Sequence, residues 1–113
     1  MNRPTLETMV RTVFGMSETE LDVCLCVMEA GEGTVSELAD RVDYDRSVVA
    51  RHLGHLVDLG VLERRRRLLE AGGQVYVYVP NDEDVVRRRL RGAFLAWVED
   101  ATALVETLGR EKV

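Results

Sequence analysis

The stretch Val35–Arg64 reads VSELADRVDYDRSVVARHLGHLVDLGVLER, and its apolar spacing decides the fold. Ser36 is the expected N-cap of a brief helix, Glu37 to Val42, with Leu38, Ala39 and Val42 facing inward. Asp43-Tyr44 makes a turn. Asp45 is the expected N-cap of a second helix, Arg46 to Leu59, which Gly60 closes as a C-terminal cap. On this second helix Val49, Leu53 and Leu56 fall within about 60° of one another and define a packing face. Ser47, Arg51, Gly54, His55 and Asp58 lie opposite, with Val48 at the edge. A helix that packs one face on a short preceding helix and offers a polar face outward is the second element of a helix-turn-helix.

Downstream, Val61 to Leu69 reads as extended, Glu70-Ala71-Gly72-Gly73 as a turn, and Gln74 to Val79 alternates as a strand. The periodicity and turn chemistry predict a β-hairpin ended by Pro80. Asn81 or Asp82 then caps a last helix, roughly Glu83 to Leu108. Val86, Leu90, Ala93, Trp97, Ala101, Leu104 and Leu108 recur on it at steps of four and three, and Phe94 and Val105 widen the stripe. Such a helix spans about 39 Å, longer than a domain of this size can cover alone.

Upstream, Pro4 starts a short amphipathic helix, Thr5 to Phe14, with Leu6, Met9, Val10 and Val13 on one face, and Gly15 ends it. Ser17-Glu18-Thr19-Glu20 reads as a capping box, in which Ser17 caps the backbone and Glu20 reaches back. In the helix that follows, Leu21, Cys24, Leu25 and Met28 line one side. Val23, Cys26 and Val27 line much of the other, so burial from two sides is expected. Thr34-Val35 reads as one short extended step.

The order of elements predicts a mainly α domain with a small β-hairpin wing, a winged helix-turn-helix. Residues 1–15 form an N-terminal helix, 16–80 the core, and 81–113 a C-terminal dimerisation helix, all within one domain. The homodimer interface is expected at Leu6, Val10, Val13, Leu90, Ala93, Phe94, Trp97, Ala101, Leu104 and Leu108.

The chain has 113 residues, 31% of them charged, and a net charge of −5. An acidic chain is an awkward partner for nucleic acid, so the distribution decides. Residues 41–67 carry seven arginines against four acids, whereas the flanking segments are both net acidic. The positive segment coincides with the helix-turn-helix and the first hairpin strand, which implies double-stranded DNA as the partner. Arg51 can donate two hydrogen bonds to guanine or pair with a phosphate, and Ser47 can bond either. Val48 can touch a thymine methyl, and Arg46 at the helix start suits the backbone. His55 is read as facing DNA or solvent, and His52 as flanking the packing face. Arg64, Arg65, Arg66 and Arg67 alternate faces along their strand, so about two at a time reach one phosphate chain. Gly72 and Gly73 let the tip settle at a groove.

Other classes find little support. No apolar run approaches the roughly 20 residues of a membrane helix, and no secretion signal is visible, so a cytoplasmic location without membrane contact is expected. Cys24 and Cys26, one residue apart, cannot staple a fold, and no second ligand pair completes a zinc site. No metal, cofactor or catalytic group is expected, and the chain reads as a non-enzyme. Two rivals remain: a sequence-tolerant architectural DNA binder, and a protein-interaction winged helix within the transcription machinery.

At Met16-Ser-Glu-Thr-Glu-Leu21 and across Val35–Arg64 the chain resembles the archaeal TrmB-like winged-helix regulators. Their motifs run Leu-Ser-x-x-Glu, then x-Ser-Glu-Leu-Ala, x-Arg-Ser-x-Val and Leu-Gly-Leu-Val-Glu-Arg. Met16 replaces the first leucine here, and Val61-Leu62 the last apolar pair. Tyr76-Val-Tyr-Val-Pro80 also looks like that group, and the resemblance covers about residues 16–90. It implies a DNA-binding transcription factor with Ser47, Val48 and Arg51 facing bases or phosphates. Larger members carry a C-terminal sugar-binding domain, for which the sequence ending at Val113 leaves no room, so sugar sensing is not expected. Val49-Ala-Arg-His-Leu53 resembles the ArsR-like metal sensors, whose Cys-x-Cys lies on the first helix of the helix-turn-helix. Glu37-Leu-Ala-Asp40 occupies that element here, and Cys24 and Cys26 point about 200° apart one helix earlier, so metal sensing is not expected.

Overall fold

The computed structural model describes residues 3–110. Five helices and one hairpin follow in the order α1 (Leu6–Phe14), α2 (Glu18–Ala30), α3 (Val35–Arg41), α4 (Arg46–Leu59), β1 (Leu62–Leu68), β2 (Gln74–Pro80) and α5 (Glu83–Glu106). This is the mainly α architecture with a small β wing that the sequence predicts.

Local chemistry sets the boundaries. Thr5 caps α1 by accepting from the Thr8 backbone at 3.1 Å, and Gly15 ends it in the left-handed region at φ 67°. Ser17 caps α2 through the Glu20 N–H, also at 3.1 Å. The return half of the expected capping box does not form, because the Glu20 carboxylate turns inward to α4 instead. At α3 the cap is Thr34, not Ser36. Thr34 has Glu37 three residues on, and the two form a reciprocal box with bonds of 3.1 and 2.9 Å. Ser36 has Ala39 at that offset and cannot close one. The extended step accordingly falls at Gly33, which exchanges two backbone bonds with Tyr78 and so joins the hairpin as a single bridge. A Cβ at Gly33 would lie 2.8 Å from Leu38 Cγ, so the close approach requires glycine. Asp45 has the extended backbone of an N-cap, but its side chain makes no capping bond.

The core is built where α2, α3, α4 and the hairpin base meet. Val23, Val27, Leu38, Val49, Leu53, Leu56 and Leu62 are fully buried there. The hairpin pairs Leu62 with Pro80 through to Leu68 with Gln74, antiparallel and without a bulge. Its base is held on both faces, since Val77, Tyr78 and Val79 are all buried. Asn81 donates to the Gly60 carbonyl at 3.0 Å and ties the start of α5 to the end of α4. Asp82 caps α5 through the Asp84 N–H.

Helix α2 is buried by residues of both its apolar sides, but incompletely on one of them. Leu21, Val23, Cys24, Cys26 and Val27 are covered, whereas Leu25 and Met28 remain exposed. These two line an apolar groove of about 340 Å³ with Leu6, Val10, Val86 and Leu90. Helix α5 packs on α1 near its start and then leaves the body, and none of its residues is fully buried. The molecule measures 65 × 29 × 25 Å with a radius of gyration of 17.6 Å. A compact chain of this length would have about 13 Å. No helix among the described residues is long and apolar enough to cross a membrane.

Candidate nucleic-acid interface

Helix α4 presents the outward face that its periodicity predicts. Val49, Leu53 and Leu56 are fully buried, and Arg46, Ser47, Arg51, His55 and Asp58 are exposed, with Val48 and Gly54 half-buried. Arg46, Ser47 and Arg51 make no hydrogen bond or ion pair among the described residues. The Ser47 hydroxyl and the Arg51 guanidinium on the outer face, and the Arg46 guanidinium at the helix start, can be given to an external anion or base edge.

His55 differs. Its Nδ1 lies 2.6 Å from Glu20 Oε2, and the same oxygen lies 3.2 Å from Nδ1 of His52. Glu20 sits in the first turn of α2 and is only 4% exposed, and its other oxygen, Oε1, has no partner. Together with Arg51, Gly15 and Ser17 these groups line an open cleft of about 310 Å³ beside α4. Sequence reasoning found both histidines but no third group near them. The signal was the spacing of His52 and His55 across one edge of α4, with Glu20 in the first turn of α2.

The hairpin separates its four arginines. Arg64 stacks over the Tyr76 ring at 4.2 Å. Arg65 is a loose partner of Glu63 at 3.4 Å, with both groups well exposed. Arg66 is exposed and makes no ion pair among the described residues. Arg67 is tied to the body, 2.7 Å from Glu32 and 3.7 Å from Glu37. The bond to Glu32, then the charges of Glu37 and Glu32, hold its guanidinium more firmly protonated. The Thr34 N–H, then Arg67, hold the Glu37 carboxyl below the usual carboxylate range. Gly72 and Gly73 form the tip at φ 93° and 84°, a backbone that favours glycine.

The residues expected at a dimer interface divide into two sets. Val10, Val13, Leu90 and Ala93 already pack against the core of their own chain. Leu6, Trp97 and Leu104 are exposed, while Phe94 and Ala101 are half-buried. Leu108 lies just past the end of α5 and is 85% exposed. Cys24 and Cys26 are buried and unbonded. Burial, then the Glu20 charge, pushes the Cys24 thiol up to about 11.

Known proteins match this geometry. A family model described as "Helix-turn-helix domain" matches residues 16–65. The "Uncharacterized protein MJ1082" of Methanocaldococcus jannaschii is 38% identical over 82 residues, 73% of this chain and 68% of that protein. A possible transcriptional regulator from Methanosarcina mazei Go1 superposes with a TM-score of 0.75 at 19% identity, covering 99% of this chain and 92% of its own. The ST1889 protein from Sulfolobus tokodaii gives 0.67 at 21% identity, covering 84% and 93%. These two structures share the fold. Residues 16–65 thus carry a helix-turn-helix match, and the identity to the M. jannaschii protein shows that the chain belongs to the family that includes MJ1082.

Proposed function

We propose that the protein is a sequence-specific double-stranded DNA-binding transcriptional regulator that acts as a homodimer in the cytoplasm. The observation that carries this reading is that Ser47 and Arg51 on the outer face of α4, and Arg46 at its start, stand exposed with no side-chain partner among the described residues. Arg51 is the specificity residue, bidentate to a guanine in the major groove, and Arg46 holds a phosphate at the helix start. Arg64, Arg65 and Arg66 add wing contacts that give affinity rather than sequence choice. The motifs at Met16–Leu21 and Val35–Arg64 favour a member of the TrmB-like group. Dimerisation is favoured by α5, whose Trp97, Leu104 and Val105 are exposed on a helix that projects from the body. A two-fold pair would offer two α4 helices to half-sites about 34 Å apart.

The test is selection of binding duplexes from a random pool, followed by titration of the selected and a scrambled duplex across salt. Tighter binding of the selected duplex supports the reading. Arg51→Ala is expected to lose about 1–3 kcal/mol on it and to narrow the gap to the scrambled one. Equal affinity for both duplexes would point to an architectural binder, and no affinity for either to a protein-interaction role.

A further inference from the structure

We propose that Glu20, His52 and His55 form a proton-gated seat for one DNA backbone phosphate beside the guanine-reading Arg51, so that binding the duplex takes up a proton. The inference rests on the DNA-binding reading and concerns the same face of α4.

The geometry fixes the histidine tautomers. A carboxylate oxygen only accepts, so each imidazole that bonds Glu20 Oε2 presents Nδ1–H to it. In a neutral ring, Nε2 is then a bare acceptor and repels a phosphate oxygen. After protonation Nε2–H is a charge-assisted donor, while Nδ1–H keeps its hold on Glu20. His55 is the ring that reaches outward, since its side chain is 47% exposed and that of His52 is 13% exposed.

Charge bookkeeping gives the same direction. With both imidazoles neutral, the Glu20 carboxylate offsets Arg51 and the cleft has no net charge. One proton leaves it positive, and two leave it doubly so. Glu20 is buried, and its Oε1 has no hydrogen-bond partner among the described residues. The other groups facing the carboxylate do not compete for the proton. The Cys24 thiol stays neutral because burial and Glu20 push it up to about 11. Arg51 is permanently charged, and Gly15 and Ser17 complete the lining without titrating. The hairpin and α5 contribute no residue to it.

The chain has only two histidines, so imidazole-linked proton uptake by this protein arises from this cleft alone. Histidine charge changes between about pH 5 and 8. The experiment is the Kd of the intact protein for its selected duplex at constant ionic strength from pH 8 to pH 6, with calorimetry in two buffers of different ionisation heat to count protons. Wild type is expected to bind at least about fivefold tighter at pH 6 and to take up a proton. His55→Gln is expected to change less than about twofold across the same range while still binding at pH 8. Wild-type binding that is pH-independent, or a His55→Gln profile identical to wild type, overturns the phosphate seat and leaves the DNA-binding reading standing. Absence of binding to every duplex at both pH values overturns both.

Discussion

Replacing Leu104 by glutamate tests the dimer on a residue whose own chain gives it little to do. Leu104 lies beyond the part of α5 that packs on α1 and is 67% exposed in the single chain. Full burial of a leucine side chain contributes about 1.5–3 kcal/mol, so covering the exposed two thirds contributes about 1–2 kcal/mol. In a two-fold interface the residue counts once per protomer, so the substitution removes about 2–4 kcal/mol. That weakens the dimer roughly 30- to 1,000-fold, and a carboxylate forced into an apolar seam adds to the loss. Sedimentation velocity across a dilution series measures the association constant directly. Trp97 is the only tryptophan, is 45% exposed and stands two turns earlier on the same side of α5, so its emission should shift to the blue on association. The reasoning is refuted if wild type remains a monomer at about 100 μM, or if Leu104→Glu associates as tightly as wild type.

Other expectations follow from single contacts. Gly33→Ala puts a methyl 2.8 Å from Leu38 Cγ and is expected to cost about 1–3 kcal/mol in urea unfolding, because Leu38 is fully buried and cannot yield. An unchanged midpoint would contradict this. Arg66→Ala should weaken all duplexes alike and lower the salt slope by about one, whereas Arg67→Ala should act mainly on wing position, since Arg67 is already paired with Glu32 and Glu37. Equal effects of the two changes on the salt slope would be the contrary result. Cys24, with its thiol pushed from 9.0 to about 11, should react with alkylating reagents at pH 8 about a hundredfold more slowly than an ordinary thiol. Because the folded value lies above the unfolded one, the linked stability is present below about pH 9 and is lost as pH rises toward 11. Denaturation of wild type and Cys24→Ala from pH 8 to pH 11 measures it, and parallel profiles would count against the shift.

The periodic elements were legible because their information is local. Val49, Leu53 and Leu56 lie on one stripe whatever surrounds them, and Gly60 ends α4 through its own backbone freedom. The alternation of Gln74 to Val79 likewise depends only on strand geometry. What the sequence concealed was every choice settled between elements. Glu20 has a local use at the α2 cap and a distant one at His52 and His55, and the distant pair prevails. The N-terminus of α3 turned on which of Thr34 and Ser36 has a glutamate three residues on, a distinction the pattern did contain. The four arginines of β1 are equivalent by alternation alone. Glu32 and Glu37, brought alongside by the bridge at Gly33, make Arg67 unlike the rest.

The acidic balance of the chain is therefore no obstacle to a basic interface. A carboxylate diminishes a DNA-binding surface only where it neutralises a cation on that surface. Glu32 and Glu37 both act on Arg67, which leaves Arg64 and Arg66 without an acidic partner among the described residues and Arg65 only loosely held at 3.4 Å. Glu20 acts from beneath α4, where it orients two histidines, and Arg46 and Arg51 have no ion-pair partner among the described residues. Glu32, Glu37 and Glu20 thus fix the geometry of the interface: the first two anchor the hairpin against α3, and the third sets the imidazoles of α4. Removing Glu32 and Glu37 together should raise the net positive charge near the wing and yet weaken discrimination between duplexes, because the freed hairpin would contact phosphates without a fixed orientation. Tighter binding to all duplexes with discrimination intact would mean that these carboxylates only dilute the field and that the wing needs no anchor.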